Sequence, residues 1–188
     1  MHRLRILPLL AALALGATAC ASTGPTGMLA PDAPRALAAQ GPVSVAWADP
    51  AGFTELRFSG NRWAAARGDW LQDLAEHMRT RGEQVLPAGH RLDITILDLA
   101  RAGQYEPWRG AQMDEVRIVR DLHPPRMTVQ FRHLDAAGNV VAEGERRLTD
   151  PAFLTNASPL NSNDPLRFEK RMIDSWLRRE FRDNTAAR

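Results

Sequence analysis

The chain has 188 residues, 44% of them hydrophobic and 24% charged, the balance of one ordinary folded domain with a short appendage. That balance excludes a disordered chain, a collagen-like chain and a multi-span membrane protein, and the single cysteine excludes an intramolecular disulfide. The net charge of +2 falls to zero once Arg3 and Arg5 are set aside with the amino-terminal segment, leaving 22 basic against 22 acidic groups, which argues against a nucleic-acid binder.

Residues 1–19 read as a secretory signal peptide. Arg3 and Arg5 supply the positive region, residues 6–16 the apolar run, and Ala17, Thr18 and Ala19 the small residues before Cys20. The apolar run is shorter than the roughly 20 residues that span a bilayer. Ending in cysteine, the segment resembles the bacterial lipobox, in which that cysteine is acylated and becomes the new amino terminus. Ala17 stands where the pattern prefers leucine, and Ala17-Thr18-Ala19 also fits the A-x-A site of ordinary signal peptidase. Acylation of Cys20 implies attachment to the periplasmic leaflet of the outer membrane, because Ala21 rather than aspartate follows. Ordinary cleavage implies a soluble periplasmic protein. Residues 20–41 combine this cysteine with a Pro-, Gly- and Ala-rich linker, whose flexible span is about 25 Å.

A single domain is expected over residues 42–182, with a frayed tail over 183–188. Residues 43–50 alternate as a strand, with Val43, Val45 and Trp47 on one side. Residues 51–68 carry Phe53, Leu56, Phe58 and Trp63, expected to fold down as a lid on the core. Asp69 and Gln72 suggest a capping box for a helix with Trp70, Leu71, Leu74, Ala75 and Met78 on one face and Gly82 at its end. Residues 91–99 form the clearest strand: Leu92, Ile94 and Ile96 face one side, Asp93, Thr95 and Leu97 the other.

Residues 127–135 and 140–150 form an antiparallel hairpin through a four-residue loop, with Glu143, Glu145 and Arg147 on a wet face. Asp164, with Pro165 at the first helical position, opens the last helix. Glu169 and Glu180 fall inside its apolar arc, so they lie at the edge of the arc or meet arginines from the sheet. The order β-α-β-loop-β-β-α suggests an α+β fold, with a mostly antiparallel sheet and both helices packed on one face.

No catalytic motif of the common hydrolase, nucleotide-binding or metalloprotease types is present. No metal site and no cofactor are expected, since His77, His90, His123 and His133 include no ligand pair on one element. The long connection over residues 100–125 is the most unusual stretch, and connections of that length are usually functional or structured. Tyr105, Glu106, Trp108 and Arg109 are candidate interaction residues there, Tyr, Trp and Arg being common interface anchors. The alternative is that Trp108 plugs the core edge and Val116, Ile118 and Val119 form a short strand. Arg167, Arg171, Arg178 and Arg182 share a stripe on the last helix. It is a solvated face or a surface turned toward anionic lipid.

Glu106-Pro107-Trp108-Arg109-Gly110, the segment from Val116 to Arg126 and the run from Asp164 to Lys170 resemble, in order, the Domain of Unknown Function 3016 family. These are small exported proteobacterial proteins. The resemblance covers about residues 42–181 and implies no activity, cofactor or site residue. The sequence therefore suggests an exported envelope lipoprotein acting as a non-enzymatic binding or structural module. Its expected partners are the membrane through acylated Cys20 and an envelope protein or anionic lipid. The alternative is a periplasmic enzyme or small-ligand carrier with a site beneath the loop from Tyr105 to Arg109. No oligomeric state can be read.

Overall fold

The computed structural model describes Ala30, residues 32–155 and residues 163–186, with side chains through residue 181. The segment 1–19 and Cys20 lie outside the described residues.

Alternation of apolar and polar residues builds the strands. β1 (Val43–Trp47) turns Val43, Val45 and Trp47 inward. β2 (Arg91–Ala100) buries Leu92, Ile94 and Ile96 and then changes phase. Its register shifts between Ile96 and Asp98, so Leu97 is an extra residue. Unbroken alternation would have turned Leu99 outward. The bulge instead buries Leu99 and sets Asp98 opposite Thr128 on the open side of the sheet. β5 (Arg126–Leu134) and β6 (Val140–Thr149) form the expected hairpin. Asp135 organises its turn by accepting from the N–H groups of Ala137 and Asn139.

The four strands lie in the order β1-β2-β5-β6. β1 runs parallel to β2, whereas the other two pairings are antiparallel. The sheet is therefore mixed, not the mostly antiparallel sheet suggested by the sequence. The cause is the connection between β1 and β2. Its main helix, α3 (Trp70–Val85), carries the chain back along the sheet, so the adjacent strand starts from the same end. The element order also departs from expectation. Two four-residue helices, α1 (Thr54–Arg57) and α2 (Arg62–Ala65), precede α3. The long connection contains a second sheet of β3 (Gln104–Tyr105) and β4 (Arg117–Ile118).

α3 and α4 (Arg167–Ala186) cover the same face of the main sheet. Trp70, Leu74, Ile94 and Trp176 lie in one core, as expected. α4 continues to Ala186, beyond the Arg182 boundary read from the sequence. It begins at Arg167, so Pro165 lies in the turn before it and not at its first position; Asp164 shapes that turn, accepting from the Leu166 N–H at 2.8 Å and from Lys170 Nζ at 2.7 Å. The expected capping box at α3 does not form, because Asp69 makes no side-chain capping bond. Gly82 does not end α3 but lies inside it. A Cβ there would approach Val43 to 3.3 Å, so glycine lets the helix press on β1.

The charged residues inside the α4 arc find two different partners. Glu180 pairs with Arg146 of β6 through two bonds of 2.9 Å, and Arg146 stacks over Phe131. Glu169 takes no arginine and meets a backbone amide, described below. Two histidines also come together: His90 Nδ1 and His133 Nε2 lie 2.9 Å apart, buried near Phe181. Part of the segment read as linker is docked. The Leu37 N–H donates to Val45 O, the Trp47 N–H to Arg35 O, and the Arg35 side chain pairs with Asp49.

Asp174 of α4 clasps α3, accepting from Arg81 Nε at 3.0 Å and meeting His77 Nε2 at 2.8 Å. Burial raises its pKa, but the bonds and charges of His77 and Arg81 outweigh that and hold it below the usual carboxylate value. The clasp therefore contributes stability above the unfolded carboxyl pKa and loses it as pH falls through the lowered folded value. Asp174→Asn is expected to cost about 1 kcal/mol at pH 7. It should cost less in strong acid, as urea midpoints at both pH values would show.

Candidate functional site

The long connection after β2 is a structured cap. Its base is set by Glu55 of α1, whose side chain is 4% exposed. A carboxylate so buried needs full pairing. Arg101 gives it three bonds: the backbone N–H at 2.8 Å, Nε at 3.0 Å and Nη2 at 2.8 Å. Arg117 of β4 also donates to Glu55. Arg117 Nη1 donates to the carbonyls of Ala102 at 3.2 Å and Gly103 at 2.9 Å. Each guanidinium also lies over an aromatic ring, Arg101 over Trp70 and Arg117 over Tyr105.

A second buried carboxylate, Glu106, pairs with Arg109 and with Arg120. Gly60 permits the close approach of the α1–α2 turn, since a Cβ there would lie 2.3 Å from the Tyr105 carbonyl oxygen. Gly103 is required twice, by φ of +74° and by the Ile118 oxygen 2.4 Å from any Cβ.

Glu169 closes the other side. Its Oε1 accepts from the Ala102 N–H at 2.6 Å, while its buried Oε2 has no hydrogen-bond partner. Burial raises its pKa, and the Ala102 bond and the charges of Arg101 and Arg117 only partly offset this. The folded state therefore holds the proton more tightly than the unfolded state. Stability is highest below the unfolded carboxyl value and falls as pH rises toward the folded one. Glutamine keeps the acceptor and carries no charge, so Glu169→Gln is expected to gain more stability at pH 8 than at pH 4. Equal destabilisation at both pH values in urea titrations would contradict this.

The residues singled out in the sequence divide. Tyr105 and Glu106 point inward; Tyr105 donates to Ala64 O at 3.3 Å. Trp108 is 69% exposed and so does not plug the core edge, while the Arg109 side chain is half exposed. Phe53 and Leu56 fold down as expected, but Phe58 and Trp63 stay outside at 71% and 62% exposure. On the surface each ring is covered by a neighbouring arginine, Phe58 by Arg57 and Trp63 by Arg67.

The helical arginines do not act as one face. Arg167 donates to Asp164 O and stacks on Phe168. Arg171 pairs with Asp150 and donates to Phe153 O. Arg178 is exposed, and the Arg182 side chain lies outside the described residues. Sequence reasoning missed Glu55, Arg101 and Arg117. The available signal was Arg117 and Arg120 within the Val116–Arg126 segment, spaced to reach different carboxylates.

Two half-open clefts flank α1. One, of about 150 Å³, is lined in part by Glu55, Ser59, Gln104, Arg117, His123 and Arg126. The other, of about 270 Å³, lies over the open sheet face and is lined in part by Asp98, Arg126, Thr128, Arg147 and Thr149. Thr54, Ala100 and Arg126 belong to both. Asp98 is engaged by the Thr54 N–H and hydroxyl, each at 2.6 Å, and by the Leu99 N–H. Among the described residues, no three His, Cys, Asp or Glu side chains gather as metal ligands. No described helix is long and apolar enough to cross a membrane.

No curated protein and no solved structure matches this chain. The three segments that distinguish it have structural work: Glu106 pairs with Arg109 and Arg120, Arg117 pairs with Glu55, and Glu169 holds Ala102. Residues 41–179, which include all three, match the family described as Protein of unknown function (DUF3016), and the chain belongs to that family.

Proposed function

We infer that this is an exported envelope protein that works as a non-enzymatic binding module, tethered to the outer membrane through acylated Cys20. The observation that supports binding over catalysis is the commitment of the buried carboxylates. Glu55 and Glu106 are covered by arginines. Glu169, whose pKa is raised, is sealed beneath Ala102 at 1% exposure and lines neither cleft. Acid–base chemistry needs a titrating group within reach of substrate, and these three groups hold the cap instead. Export and tethering rest on the pattern around Arg3, Arg5 and Cys20. A small-ligand carrier is the second reading, favoured by the half-open clefts beside the cap.

Metabolic palmitate labelling of the full chain tests the tether. Label should appear in the outer-membrane fraction and vanish in Cys20→Ser, and an unmodified Cys20 thiol by intact mass would overturn it. Crosslinking in intact cells tests the module. A discrete envelope adduct should form and be lost with Trp108→Ala; identical adducts from both chains would overturn a role for the exposed cap face.

A further inference from the structure

The geometry points to a phosphate-binding site on the open face of the sheet, at the cleft where Arg126, Thr128, Arg147 and Thr149 meet. The inference rests on reading the chain as a binding module and names the ligand chemistry that module takes. Strand register builds the site. Arg126 of β5 stands opposite Thr149 of β6, and Thr128 stands opposite Arg147. Residues two apart on a strand point the same way, so all four side chains lie on one face. Cross-strand partners stand about 5 Å apart at Cβ. The sheet thus sets two guanidiniums and two hydroxyls in a diagonal square, and the cleft of about 270 Å³ is lined by all four residues.

Three of the four donors, all but Arg147, are unengaged among the described residues. Arg126 has no hydrogen bond, ion pair or ring contact among the described residues, and neither Thr128 nor Thr149 has a side-chain hydrogen bond there. Every other arginine lining the two clefts already has a partner: Arg101 and Arg117 hold Glu55, and Arg147 has one contact to Glu145 at 3.3 Å on the exposed surface. Glu55 is neutralised by Arg101 and Arg117. Asp98 keeps its charge, since the Thr54 N–H and hydroxyl and the Leu99 N–H that engage it are neutral, and it shares the cleft with Arg126 and Arg147, so the charged residues of the lining still leave one positive charge in excess.

The donor set selects the anion. One arginine fork satisfies a planar carboxylate by itself. Two forks and two hydroxyls arranged around one cleft suit a tetrahedral oxyanion, whose several oxygens can each accept. The cleft falls just below the usual size range of small-molecule pockets. It therefore takes a phosphate group together with only a small part of whatever carries it. That phosphate comes either from a soluble ester or from a lipid headgroup.

The test is calorimetric titration of the full chain, purified in neutral detergent, with inorganic phosphate and with glycerophosphoglycerol, at ionic strength matched with chloride. Saturable binding of phosphate is expected, weakened about tenfold or more by Arg126→Gln and by Arg147→Gln, because each removes charge-assisted hydrogen bonds. Arg126 has no partner to lose, so the thermal midpoint of Arg126→Gln should match that of the parent. Glycerophosphoglycerol binding tenfold tighter than phosphate supports the site with a lipid headgroup as its source. Equal binding supports it with a soluble phosphate. No saturable binding of either anion, or equal binding by the parent and both variants, overturns the site. That outcome leaves the tether untouched, since palmitate labelling at Cys20 is read independently.

Discussion

Glu55→Ala is expected to destabilise the protein by about 3 to 5 kcal/mol, the cost of breaking a buried ion pair by removing one partner. Glu55 accepts from Arg101 through backbone and side chain, and from Arg117. Its loss leaves two guanidiniums largely buried, at 13% and 19% side-chain exposure, without their carboxylate. Small domains are stable by only about 5 to 15 kcal/mol, so this one change removes a large part of the total. It also unfastens the cap, because Arg117 holds the carbonyls of Ala102 and Gly103 only while it is oriented by Glu55. Limited proteolysis should then cut within residues 101–125 before the sheet unfolds. A urea-derived loss below about 1 kcal/mol, with no new cleavage there, would mean that the arginines find other partners.

Leu74→Ala is expected to cost about 2 to 5 kcal/mol. Leu74 is fully buried on α3, in the cluster shared by both long helices and the inner face of the sheet. The neighbouring side chains are large and come from several elements, so the cavity cannot collapse by moving one of them. The loss should appear in thermal and urea unfolding alike. Cap proteolysis in the folded state should stay unchanged, because Leu74 takes no part in the Glu55 pairings. A loss under half a kcal/mol would contradict the packing of α3 against α4.

Much of the core was legible because periodicity reports it directly. Trp70, Leu74 and Met78 repeat at helical spacing, and Leu92, Ile94 and Ile96 at strand spacing; all are buried. The phase change at Leu97 was not legible, since a bulge adds one residue without altering residue type. The parallel pairing of β1 with β2 had a readable cause, the long helical crossover between them, yet alternation alone gives no strand direction. The site was less legible still. Tyr105 and Trp108 are both aromatic and three residues apart, but one is buried and the other exposed, because a short β3 turns inward and a following 3-10 turn swings out. Glu55 and Arg101 are 46 residues apart, and only the fold shows that they touch. Arg126 was visible as the last residue of a family-like segment. What distinguishes it is its lack of a partner among the described residues, which no sequence pattern records.

Hydrogen exchange of the backbone amides of Arg101, Ala102 and Gly103 tests most directly whether the cap is a fixed part of the domain. These amides donate to Glu55, Glu169 and the His123 carbonyl. Locked in this way, they should exchange only when the domain opens as a whole, with protection equal to that of the β2 amides. Exchange at the rate of an unstructured peptide, with β2 still protected, would show a mobile loop and contradict the charge-locked cap.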